Sequence, residues 1–240
     1  MGLFERLVPL PLLANQSGTI NGYVGTTSKS AVAVRASAYV AQGSAAQRSV
    51  NSTSANDTSA GTGAQQVTIT YYDNSMAGPF TEVVTLNGTT AVNTVGTNIR
   101  YIEKLQVTQV GTGGSNVGTI QLWTTTAGGG SVFASIIAGD NQTFWAAHYV
   151  SASRTCYVVG FRAALTVGTG GATLQTTGDP NATNLPYTNL TGTLRHGVET
   201  NLLDWDPWLV VPGPNLIIVN ERPDNAIAQT AYASFDFVEF

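Results

Sequence analysis

"SANDTSAGTGAQQVTITYYD", residues 54–73, is the stretch on which the reading of the fold turns. Its second half sets Val67, Ile69 and Tyr71 against Thr68, Thr70 and Tyr72. That is the period of two which turns one face of a strand to a core and the other to water. Its first half is small and polar, with Asp57 as its one charged residue and two glycines, and reads as a flexible connection. With a single carboxylate, no basic residue, no aromatic and no helix after them, residues 54–64 are poorly equipped to hold a phosphate or a metal.

The same strand signal recurs on both sides. "AVAVRASAYV" (31–40), "FTEVVTLNGTTAV" (80–92), "NIRYIEKLQVTQV" (98–110), "GTIQLWTTT" (118–126) and "SVFASIIA" (131–138) carry it, with Gly, Asn, Asp and Pro between them. So do "QTFWAAHYV" (142–150), "TCYVVGFRAALTV" (155–167), "NLIIVNE" (215–221) and "AYASFDFVEF" (231–240). Short strands at this spacing, with no amphipathic helix beyond a turn or two, predict an all-β chain, an antiparallel β-sandwich or jelly-roll-like domain. Asn87-Gly88 predicts a type I′ hairpin turn.

Two regions break the rhythm. Residues 1–30 read as an extended N-terminal arm, since Pro9 and Pro11 block both helix and central strand. Leu3, Phe4, Leu7, Val8, Leu10, Leu12 and Leu13 are too apolar to stay in water, so they are expected to dock on the chain's own sheet or on another subunit. The remainder, 31–240, reads as one β-sandwich domain with a long surface excursion at 168–200 that has room for one short hairpin. "NLLDWDPWLVVPGPN" (201–215), with two tryptophans and three prolines, reads as a rigid turn.

Composition narrows the function. Charged residues are 10% of the 240, against a usual share of about 25%, and Thr, Ser, Asn, Gln and Gly replace them. With a net charge of −4 and no run of Lys or Arg, there is no footprint for nucleic acid. No apolar run reaches the roughly 18 residues of a membrane helix. Glu5 beside Arg6, and the two prolines, make the start a poor signal peptide, and Arg6 stands where myristoylation wants Ser or Thr. Seven Asn-x-Ser/Thr sequons, at Asn15, Asn51, Asn56, Asn87, Asn141, Asn181 and Asn189, are what an Asn- and Thr-rich chain produces by chance.

Catalytic chemistry finds no constellation. His148 sits in an apolar strand and reads as a structural histidine; His196 lies in the excursion. The lone Cys156 among apolar neighbours reads as a buried thiol. Asp204 and Asp206 in "DWD" would suit a divalent cation or a glycosidase pair, but Pro207 after them favours a turn. "AGTGA" (60–64), "GTGGSN" (111–116) and "GTGGAT" (168–173) complete no phosphate-binding motif and read as flexible links. No enzyme activity, cofactor or metal is expected.

Residues 50–165, about half of the chain, carry a resemblance. Asn56–Thr58, Ala60–Ala64, the strand Val67–Tyr72, the Val84–Thr89 turn and Gly114–Ile120 together resemble virion structural proteins of tailed bacteriophages. The resemblance implies a β-sandwich subunit without catalytic residues, assembling on heads, necks or tails, often as a trimer. The expectation is a head decoration or cement protein in the virion. Its partners would be the major capsid protein or other virion proteins and further copies of itself, with no nucleic acid and no membrane. A tail, baseplate or fibre protein is the alternative, and a carbohydrate-binding module using Trp205, Trp208 and the two aspartates is a third reading.

Overall fold

The computed structural model describes residues 16–26, 30–31, 44–143, 147–165, 169–177, 188–195, 200–223 and 229–240. All strand pairings among them are antiparallel, and the only helical element is a single 3-10 turn at Thr126–Gly128. The all-β, sandwich-like class read from the alternation is the class observed. The chain divides into two compact units, one of residues 34–144 and one of 1–33 with 145–240, where the sequence suggests an arm and one domain.

The strands in chain order are β1 (Gln16–Thr26), β2 (Ser30–Ala31), β3 (Ser49–Ser52), β4 (Ala64–Tyr72), β5 (Phe80–Thr85) and β6 (Val92–Asn93). There follow β7 (Tyr101–Val110), β8 (Ile120–Trp123), β9 (Val132–Ile136), β10 (Ala147–Val150) and β11 (Thr155–Leu165). The last are β12 (Thr169–Thr177), β13 (Thr188–Arg195), β14 (Thr200–Pro212), β15 (Asn215–Pro223) and β16 (Gln229–Glu239).

The unit of 34–144 is a sandwich of a four-stranded sheet, β6-β3-β8-β9, and a three-stranded sheet, β5-β4-β7. Val67, Ile69, Val84 and Leu105 of the smaller sheet are buried, as are Val50, Ile120, Leu122 and Phe133 of the larger. The alternation in β4 fails at its end: Tyr72 is fully buried and Tyr71 is not. The pairing with β7 slips by one residue between Thr70 and Tyr71, and such a bulge resets which side chains face inward. The Asn87-Gly88 turn is also different from the expectation. Gly88 alone has a positive φ, so the two left-handed residues of a type I′ turn are not there. The strands flanking it, β5 and β6, belong to different sheets and form no hairpin.

The other unit has a nested topology. β1 pairs with β16, β10 with β15, β11 with β14 and β12 with β13, the pattern of one long hairpin whose tip lies between β12 and β13. Further pairings of β11 with β16 and β12 with β15 roll that hairpin into two sheets, β1-β16-β11-β14 and β10-β15-β12-β13. This is a jelly roll. The unit of 34–144 is inserted in the sequence between β2, which pairs with β15, and β10.

Three stretches look different from their sequence reading. Gln16–Thr26, inside the span read as an arm, is the first strand of the roll, paired with β16 along its whole length. The 168–200 excursion holds the tip hairpin, in register from Thr169↔Arg195 to Thr176↔Thr188. Residues 201–212, read as a turn, continue β14. Prolines hid that strand. β14 is the edge of its sheet, and between Asp204 and Leu209 its register jumps while β11 advances only from Gly160 to Val158. Pro207 thus lies in an edge-strand bulge, where a missing N–H breaks no ladder bond. The 31–40 strand signal lies outside the described residues beyond Ala31.

Candidate functional site

The motifs that carry the resemblance meet at one buried carboxylate. Asp57 is fully buried and accepts hydrogen bonds from the amides of Ala64 at 2.7 Å, Val117 at 2.9 Å and Gly118 at 2.8 Å, and from the Ser52 hydroxyl at 2.6 Å. Its own carbonyl accepts from the Gly88 amide at 2.8 Å. The Asn-Asp-Thr, Ala-Gly-Thr-Gly-Ala, Asn-Gly-Thr and Gly-Ser-Asn-x-Gly-Thr segments are therefore parts of one lock. Four donors on one carboxylate are the means by which a buried charge is tolerated.

The glycines in this lock are sites of close approach, which corrects their reading as flexible links. The Gly111 amide donates to the Gly63 carbonyl and that of Gly113 to Thr62, each at 2.7 Å. A Cβ at Gly61 would lie 2.0 Å from the Asn56 carbonyl oxygen, one at Gly111 2.1 Å from that of Gly61, and one at Gly63 2.1 Å from Asp57 Oδ1. Residues 54–64 are not a loose lead-in to β4 but a packed loop.

Neighbouring loops are fastened in the same way. The Asn116 carboxamide donates to the carbonyls of Gly118 at 2.8 Å and Ile137 at 2.7 Å, and its oxygen accepts from the Asn141 amide at 3.0 Å. Asn141 Oδ1 accepts from the Asn116 amide at 3.1 Å in return. Arg48 is buried with its guanidinium on backbone carbonyls: Ile99 at 2.7 Å, Ser44 at 2.8 Å and Thr124. Burial pushes its pKa down to about 10, which leaves it charged at neutral pH.

In the jelly roll the burial phase of β16, Phe235, Phe237, Glu239, carries a carboxylate into the core. His148 of β10, on the opposite sheet, meets it with Nε2 2.8 Å from Glu239 Oε2, both side chains fully buried, and stacks on Phe237 with ring centres 4.2 Å apart. Arg154 Nε lies 3.7 Å from Glu239 Oε1. The buried histidine and carboxylate tie the two sheets of the roll together. The structural reading of His148 holds, and Cys156 is buried as read.

Asp204 and Asp206 lie in β14, not in a turn. His196 and the apolar arm residues Leu3, Phe4, Leu7, Val8, Leu10, Leu12 and Leu13 lie outside the described residues. Among the described residues no group of three or more His, Cys, Asp or Glu could hold a metal ion, and no helix is long and apolar enough to cross a membrane. What the sequence could not reveal is Asp57: one aspartate in a polar run shows nothing of the amides that reach it from some sixty residues away.

Comparison with known proteins adds little. No family model matches the chain, and no curated protein matches it. One solved structure, of infectious bursal disease virus Gt strain, aligns with a TM-score of 0.26 and 11% identity over 99% of this chain and 77% of that one. A likeness of that quality carries no argument for fold or function.

Proposed function

We propose that the chain is a non-enzymatic structural component of a tailed-phage virion, a head decoration or cement protein that binds and stabilises the capsid shell. The observation that carries this reading is the jelly roll of β1 and β10–β16. Jelly rolls recur in viral capsid and lectin domains, and the resemblance to phage virion proteins, carried mostly by the inserted unit, favours the first. Fold alone does not assign function. The buried polar groups suit a structural subunit: Asp57, Asn116, Arg48 and the His148–Glu239 pair all fasten loops or sheets. Such a subunit would attach through apolar arm residues and sheet edges, with few salt bridges, in keeping with a charged content of 10%. The capsid protein and further copies, in a trimer, are the partners this reading names.

Particles assembled without the protein test it. Intact tails with heads that rupture at lower temperature or milder osmotic shock are expected. Sound heads that fail to adsorb would place the chain in the tail instead. Deleting residues 1–13, which stops short of β1, is expected to leave the β circular dichroism unchanged and abolish incorporation into particles. Continued incorporation would mean that the arm only covers its own sheet.

A further inference from the structure

We infer that β5 is a self-pairing edge: two copies of this chain join across a two-fold axis at Val83 and continue the β5-β4-β7 sheet through both. The inference goes beyond the virion reading and does not depend on it.

β5 is an edge of its sheet, paired only with β4 among the described residues. The Leu86 amide bonds the Gln65 carbonyl just beyond the paired stretch. Backbone groups alternate in direction along an antiparallel strand. Val84, Glu82 and Phe80 therefore spend theirs on β4, and Thr81, Val83 and Thr85 present theirs at the free edge. Natural edges are guarded by lysine, proline, bulges or inward-pointing charge. "FTEVVT" contains no lysine or proline, and its pairing with β4 runs without a register shift. Its one charge, Glu82, is taken up by the amides of Val95 and Gly96. Val83 is 56% exposed, Phe80 44% and Val95, beside Glu82, 87%.

Self-pairing follows from the register. To use the free groups and keep both faces of the sheet continuous, odd-numbered residues must oppose odd-numbered residues. Centring on Val83 sets Val83 against Val83 of the second copy, Thr81 against its Thr85 and Glu82 against its Val84. All the free groups are used and no like charges face each other. A one-step slip in one direction would set Glu82 against Glu82 of the second copy, and in the other would leave Thr81 opposite Asn87, which lies beyond β5 and is bridged to Thr58 and Thr90. The outer face that would run through both copies is neutral near the axis, with Thr81, Val83, Thr85, Gln66, Thr68 and Thr70.

Sedimentation of the intact protein over a concentration series tests this, beside Val83→Lys, which sets two ammonium groups across the axis, and Thr68→Lys, on the same face but one strand in from the edge. The wild type and Thr68→Lys are expected to reach twice the 25.0 kDa monomer mass, or multiples of it. Val83→Lys is expected to lose that association with its circular dichroism and melting temperature unchanged. Val83→Cys should form a disulfide-linked dimer on oxidation even if Val83→Lys folds poorly. In hydrogen exchange, the amides of Thr81, Val83 and Thr85 should be slow in the wild type and fast in Val83→Lys. A wild type that stays monomeric, an assembly that Val83→Lys does not alter, or amides still protected in a monomer would overturn the inference.

Discussion

Asp57 shows how much one residue can organise. Its carboxylate satisfies backbone donors on the far side of its own loop and on the loop before β8, so its loss leaves several buried N–H groups without acceptors. Asp57→Asn keeps the shape but turns a donor toward a donor, and should cost about 3 kcal/mol of stability in urea unfolding. The glycines supply a paired contrast. Gly111→Ala puts a Cβ against the Gly61 carbonyl and should destabilise severely, by about 3 kcal/mol or more. Gly114 has φ +74 but nothing within 4 Å of an added Cβ, so Gly114→Ala should cost only about 1 kcal/mol, the penalty of a left-handed alanine. Equal effects at the two positions would refute the packed-loop account. None of this was visible in the sequence, where three Gly-Thr-Gly runs look alike. What separates a tight glycine from a free one is a carbonyl brought close by the fold.

At the scale of elements, the turn from β4 to β5 is built on Asp73. Its Oδ1 accepts from the Ser75 amide at 2.8 Å, the Ser75 hydroxyl at 2.7 Å and the Ala77 amide at 3.0 Å. Burial pushes the Asp73 carboxyl up, but the Ser75 hydroxyl and the amides of Ala77 and Ser75 outweigh it and hold it below its ordinary value of 3.8. A lowered carboxylate pKa stabilises the fold above the unfolded value, and that contribution fades as the pH falls through the folded one. The melting temperature of the wild type should therefore exceed that of Asp73→Asn at pH 7, and the gap should close as the pH is lowered below 3.8. A gap that stays constant would show that the turn does not depend on the ionised form. Apolar, β-branched and aromatic runs bounded by Gly, Asn and Pro made β4, β7–β9, β11, β15 and β16 legible beforehand. β1, β12 and β13 were not, being rich in Gly, Thr and Asn, and β14 was hidden by prolines that an edge bulge accommodates.

The whole molecule is a jelly roll with a second sandwich inserted in its sequence, and alternation alone could not reveal that. Which strand pairs with which is decided by contacts between the two ends of the chain, such as β1 with β16. Residues 34–144 have their own two sheets and buried core, so that segment expressed alone should melt cooperatively with a β circular dichroism spectrum. An unfolded product would show that its core depends on the roll. For a role in the virion, the decisive quantity is copy number. Quantitative mass spectrometry of phage particles purified from cells that encode the chain should find hundreds of copies per particle, the number a head-covering protein requires. A dozen copies or fewer would contradict the decoration role, and none at all would contradict the virion role itself.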